Sequence, residues 1–209
     1  ALGDEAGTAI STGDRNIAIG FEAGKAISTG GENVAIGYQA LKTEDGHGLN
    51  IAIGSEALEN LNAGADAYNV AVGHTAGKNL LTGIRNILIG GLAGDAFTDA
   101  DFNIGIGHQA LTSDRKGSKS TAVGYRALAN QDFENATDSH NTAIGNDAGL
   151  NITTGVQNTL IGSQAGDAID DADFNVAVGY NALSVNTVGS QSVAVGHNAL
   201  LFQNPTTCL

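Results

Sequence analysis

Glycine returns along this chain at a nearly constant interval: Gly3, Gly20, Gly37, Gly54, Gly73, Gly90, Gly107, Gly124, Gly145, Gly162, Gly179 and Gly196. The gaps are 17 residues except for one of 19 and one of 21. Each of these glycines ends a full, truncated or slightly varied copy of the phrase N-φ-A-φ-G, where φ is apolar, as in "NVAIGYQAL" (Asn33 to Leu41), "NIAIGSEAL" (Asn50 to Leu58) and "NVAVGYNAL" (Asn175 to Leu183). A fixed period of this length, repeated twelve times, is the mark of a stacked repeat architecture. With Asn at position 1 and Gly at position 5, a second order appears at position 9. That site reads Gly, Gly, Leu, Leu three times over, from Gly7, Gly24, Leu41 and Leu58 to Gly149, Gly166, Leu183 and Leu200. The longer gaps follow the fourth copy, so four coils make one module. The chain divides into three modules, about 1–66, 67–138 and 139–209.

Positions 2 and 4 carry mostly Ile and Val, with Thr at position 2 in Thr121, Thr142 and Thr159. β-branched residues two apart share one face of a strand, and no helical spacing of three and four competes. The invariant Gly at position 5 predicts a corner with positive φ or no room for a Cβ. Position 8 is Ala in all twelve copies, from Ala6 to Ala199, which predicts a crowded site just inside that corner. Apolar residues return at position 12 in the Gly-type coils (Ile10, Ile27, Leu80, Phe97, Ile152, Ile169). In the Leu-type coils Leu at position 9 takes over that filling, and position 12 is often polar, as at Glu44.

A short strand, a corner and a return of fixed length predict an all-β fold: one parallel β-solenoid of about twelve coils. At about 4.8 Å per coil the rod is on the order of 57 Å long. Stacked Asn side chains at position 1 predict a hydrogen-bonded ladder. Position 3, mostly Ala, is expected on the strand face opposite the core, as a stripe for close contact between parallel rods.

Composition narrows the function classes. The formal net charge is −13, from 22 acidic and 9 basic residues. Such a surface repels phosphate, which argues against nucleic acid and anionic membrane as partners. No apolar run approaches the ~20 residues that span a bilayer, so no membrane crossing is expected in this segment. The absence of Met and a first residue in mid-strand predict a window cut from a longer periodic chain. Cys208 lacks a second cysteine and is expected to be a passive or partner-facing thiol.

Four stretches bear on possible chemistry. "IGFEAG" from Ile19 fits one hexapeptide of the left-handed acyltransferase helices, which need three per 18-residue coil. "DADFN" occurs twice and opens like a calcium loop, with Asp99, Asp101, Asp171 and Asp173 as ligand candidates. Its Asn is already the ladder residue, however, and no bidentate Glu follows, so a solvated turn is the preferred reading. Ice binding requires a regular Thr ladder. Ser28-Thr29 and Thr153-Thr154 would supply one, but Asp45 and Asp170-Asp171 interrupt it. Position 6, just past the corner, carries Phe21, Tyr38, His108, Tyr125, Tyr180 and His197. It is read as an exposed edge, with Tyr38, His108, Tyr125, Tyr180 and His197 as candidates for contact with a glycan or protein receptor. No catalytic grouping and no cofactor are predicted. The triplets at Asn135 and Asn151 are sequons. The insertions from Glu59 and Ala129 are expected to form surface bumps one module apart.

The phrases "NVAIGYQAL", "NIAIGSEAL" and "SVAVGHNAL" resemble the head repeats of trimeric autotransporter adhesins, and "NTAIGNDAG" is similar to repeats of phage tail-fibre proteins. The likeness runs the length of the chain. It implies a left-handed β-roll assembled as a homotrimer, in an extracellular, cell-surface or virion fibre that could also continue end to end. Two features depart from the adhesin pattern: the coils are longer than its 14 to 16 residues, and the four-coil module is foreign to it.

Overall fold

The computed structural model describes residues 1–203. It is an all-β, parallel solenoid, with no helix among the described residues. The expectation for Cys208 falls outside them. One sheet of eleven strands runs the length of the rod: β1 (Ile17–Ile19), β2 (Val34–Ile36), β3 (Ile51–Ile53), β4 (Val70–Val72), β5 (Ile87–Ile89), β6 (Ile104–Ile106), β8 (Thr121–Val123), β10 (Thr142–Ile144), β11 (Thr159–Ile161), β12 (Val176–Val178) and β13 (Val193–Val195). A second sheet joins only β7 (Gly117–Ser118) and β9 (Thr137–Asp138). Pairing is in register with the sequence period, so that Ile19 faces Ile36 and Ile36 faces Ile53. The remainder of each coil is turn, and it too bonds to the next coil through the backbone, as in Gly24 N to Ala40 O (2.9 Å) and Ser28 N to Asp45 O (2.7 Å).

The corner glycines behave as their invariance predicts. Gly20 to Gly196 hold φ between +126° and +143°. A Cβ at Gly54 would stand 2.3 Å from the carbonyl oxygen of Gly73 in the following coil. The position-8 alanines from Ala23 to Ala182 are fully buried, which accounts for their size limit.

The strand faces are the reverse of the sequence expectation. Position 3 points inward: Ala35, Ala52, Ala71 and Ala122 are inaccessible, while Ile17, Ile19, Ile51, Ile53, Ile87 and Ile89 are exposed. The interior is thin, and the opposite wall already fills it. Leu41, Leu58, Leu111, Leu128 and Leu183 at position 9, and Ile27, Leu80, Phe97, Ile152 and Ile169 at position 12, are all buried. Little more than a methyl group fits between them and the strand. The exceptions at position 3 show the same limit from the other side. Leu88 occupies the space that glycine leaves: a Cβ at Gly77, Gly94 or Gly105 would lie 2.9, 2.8 or 3.2 Å from its δ-carbons. Leu160 does the same beside Gly149 and Gly166, at 2.8 and 2.7 Å. Volume is conserved between neighbouring coils, as close-packed interiors require.

The position-1 ladder exists, but its principal partners are backbone groups. Each Asn carbonyl accepts the amide N–H of the next coil's position-1 residue: Asn33 N to Asn16 Oδ1 is 2.9 Å and Asn103 N to Asn86 Oδ1 is 2.9 Å. Most of the side-chain amides donate to a turn carbonyl fourteen residues on, as in Asn69 to Gly83 (2.8 Å) and Asn86 to Ala100 (2.7 Å), whereas Asn50 reaches back to Gly48 (3.1 Å). Asn86 is fully buried, so an alanine there strands both the Asn103 N–H and the Ala100 carbonyl. Each buried orphan costs about 1–3 kcal/mol, so Asn86→Ala is expected to lose about 2–6 kcal/mol in denaturant unfolding, against under ~0.5 kcal/mol for the exposed Asn62→Ala.

The insertions are bumps only at their tips. Leu61, Ala63, Ala67 and Phe133 are buried, and exposed residues cluster at 64–66 and 134–136. The second insertion supplies β9, which pairs with β7.

Candidate functional site

One surface feature runs along the whole eleven-stranded sheet, its outer face. Positions 2 and 4 present two parallel ranks of Ile, Val and Thr along every strand, and neither rank includes a charged residue in a chain with 22 acidic and 9 basic ones. Strand geometry sets the ranks about 7 Å apart and repeats them every ~4.8 Å, giving a strip on the order of 50 Å by 10 Å. That is the size at which an exposed apolar patch marks an interface. Ile53 and Ile89 each keep 37% of their surface open, so solvent reaches them in the single chain. Thr occupies the first rank on only three of these strands, β8, β10 and β11, at Thr121, Thr142 and Thr159.

Beside this face runs the position-6 column. Tyr38, His108, Tyr125, Tyr180 and His197 are all exposed there. The coil spacing pairs the rings in parallel: Phe21 on Tyr38 (5.6 Å between centroids), His108 on Tyr125 (5.9 Å) and Tyr180 on His197 (5.5 Å). Among the described residues each module thus holds one stacked pair. A second aromatic column, not anticipated from the sequence, lies immediately before the position-1 Asn. There the Arg85 guanidinium sits between Tyr68 (5.9 Å) and Phe102 (5.4 Å). The clue was available, since the residue preceding Asn recurs at a fixed place in the period.

Two of the four calcium candidates, Asp101 and Asp173, serve the backbone, while Asp171 is exposed. Asp101 Oδ1 accepts the Ile84 N–H (2.8 Å), and Asp173 Oδ1 accepts that of Val156 (2.7 Å). Asp99 Oδ1 accepts the Thr98 hydroxyl (3.2 Å). Among the described residues, neither DADFN stretch belongs to a group of three or more potential metal ligands.

Charge is distributed along the coil stack. Glu22 accepts Lys25 (2.7 Å), Gln39 (2.6 Å) and lies 3.0 Å from Lys42. The Lys25 contact foremost, with Gln39 and Lys42, lowers its carboxyl to about 2. Lys25 also reaches Glu5. Asp114 behaves oppositely. It is fully buried at position 12, accepts N–H groups from Gly117 (2.8 Å), Phe133 (3.4 Å) and Gln131 (2.5 Å), and burial raises its pKa to about 6. Gln131 in turn accepts from Asn141 (2.8 Å).

Because the folded pKa of Asp114 exceeds the unfolded value near 3.8, the folded state binds the extra proton between roughly pH 4 and 6. The stability tied to this group is present at the acid end and falls as pH rises through about 6. About two pKa units correspond to at most ~3 kcal/mol. Thermal unfolding is therefore expected to rise by several degrees between pH 7 and pH 5, and Asp114→Asn should flatten that rise.

Comparison with protein-family profiles, curated protein sequences and solved structures returned no match. Among the described residues, no helix is long and apolar enough to cross a membrane.

Proposed function

We propose that this chain is a section of a non-enzymatic structural rod, associated side by side with copies of itself in an extracellular, cell-surface or virion fibre. The observation that carries this reading is the uncharged, two-rank aliphatic face extending over all eleven strands. Leaving such a strip in water is unfavourable, and another copy is a natural cover because its ranks repeat at the same axial step. The association thus uses positions 2 and 4 in place of the alanine stripe. The adhesin-head resemblance supports three copies, and the tail-fibre resemblance supports the shaft of a phage receptor-binding fibre as the second reading.

Within that rod, the stacked pairs Phe21–Tyr38, His108–Tyr125 and Tyr180–His197 form a periodic stripe suited to weak, repeated contact with a glycan or protein receptor. Light scattering on the purified chain tests the association. Three copies give about 63 kDa, three times the 21.0 kDa chain. A monodisperse monomer at tens of micromolar overturns it. Electron micrographs of rods support the structural role, and detection in purified virions selects the tail-fibre reading.

A further inference from the structure

The third coil of each module closes its position-12 corner with a buried polar side chain. Asp114 Oδ1 accepts the N–H of Gly117 (2.8 Å), and Asn186 Oδ1 accepts that of Gly189 (2.8 Å). In the first module Glu44 does the same for His47 (3.1 Å). The residue three places on is glycine in two modules and histidine in this one. An imidazole therefore stands beside a fully buried carboxylate where the fold asks for no side chain.

The contact between them is incomplete. His47 Nδ1 lies 3.6 Å from Glu44 Oε1, too far for a hydrogen bond. That nitrogen is buried and has no hydrogen-bond partner among the described residues. Among the described residues the Glu44 oxygens accept one backbone N–H each, from His47 (3.1 Å) and Ala63 (3.0 Å), so lone pairs remain on both. Asp45 brings a second carboxylate, and one ligand atom from each of the three side chains lies within 4.8 Å of the others.

We propose that Glu44, Asp45 and His47 bind a divalent transition-metal ion. Metal–ligand bonds of about 2.0–2.2 Å in tetrahedral geometry place neighbouring ligand atoms roughly 3.3–3.5 Å apart, so the observed N···O separation contracts only slightly onto an ion. Two carboxylates and a neutral imidazole supply two negative charges, which a divalent cation balances. The mixed nitrogen and oxygen set favours zinc, nickel or cobalt over calcium. Asp45 is exposed and His47 partly so, leaving one side for water or a ligand from elsewhere.

Isothermal titration with zinc chloride tests this, using the chain without a histidine tag after dialysis against chelator. The parent chain should bind one zinc per chain at micromolar or tighter affinity, with calcium at least tenfold weaker. His47→Gly, which copies Gly117 and Gly189, should keep the circular dichroism spectrum and lose at least tenfold in zinc affinity, and Asp45→Asn should weaken it in the same direction. His74, His108, His140 and His197 remain in every variant, so the difference reads His47 alone. Zinc binding as tight in His47→Gly as in the parent, or no binding by the parent, overturns the proposal.

Discussion

Gly107→Ala should break the solenoid. Gly107 holds φ at +138°, and a Cβ there would lie 2.2 Å from the Gly124 carbonyl oxygen and 2.6 Å from its carbon. The obstacle is backbone, which cannot swing aside. Backbone strain of about 1–3 kcal/mol adds to an overpacking cost of similar size. The clash also falls between β6 and β8, where every coil-to-coil bond depends on close approach. In a structure whose repeats touch only their neighbours, one severed junction uncouples everything on either side. A loss of at least ~4 kcal/mol is expected, read as replacement of one cooperative melting transition by two weaker ones, or as failure to fold. Limited proteolysis should then cut between residues 107 and 124. Gly64→Ala provides the control, because a Cβ there meets nothing within 4 Å. A single unchanged transition in Gly107→Ala would contradict the coil register itself.

The second large effect concerns association. Ile53 and Ile89 lie on β3 and β5 in the middle stretch of the aliphatic face. Both are already partly open in the single chain, so aspartate at either should leave its fold intact. Within a rod-to-rod contact each carboxylate would be desolvated without a partner, costing several kcal/mol per chain. Every ~1.4 kcal/mol is tenfold in the equilibrium, so the double variant Ile53→Asp/Ile89→Asp should weaken association more than a hundredfold and run near 21.0 kDa. Tyr125→Asp, on the position-6 column, should keep the parental mass. An Ile53→Asp/Ile89→Asp chain that stays associated would direct attention to another face.

The period, the glycine corner, the inward Ala at position 8 and the exchange of filling between positions 9 and 12 were all legible in the sequence, because each is a steric demand repeated in every coil. The direction of the strand was not. Ile19 and Ala18 alternate equally well whichever of them points inward, and the usual preference for burying the larger residue gave the wrong side. What decides it is the depth of the interior, and that depth is set by Leu41 and Ile27 on the far wall. The position-6 edge was readable from its fixed place, but the ring pairs emerge only once coils are stacked in register. Glu44 was visible as a polar residue at position 12, and His47 stands at a place in the period where Gly117 and Gly189 occur, but only the folded corner shows that ligand atoms of Glu44, Asp45 and His47 come together.

The leucines at position 9, Leu41 to Leu200, all hold φ between +48° and +56°, and the residues at position 7 and just before each Asn are left-handed as well. Such torsions are disfavoured for L-residues by roughly 1–2 kcal/mol apiece, so a solitary coil has no reason to adopt them. The shape exists only where an adjacent layer already displays it. Assembly of this polypeptide is accordingly a copying process, in which an existing turn acts as the mould for the following one and the first layers are the hardest to obtain.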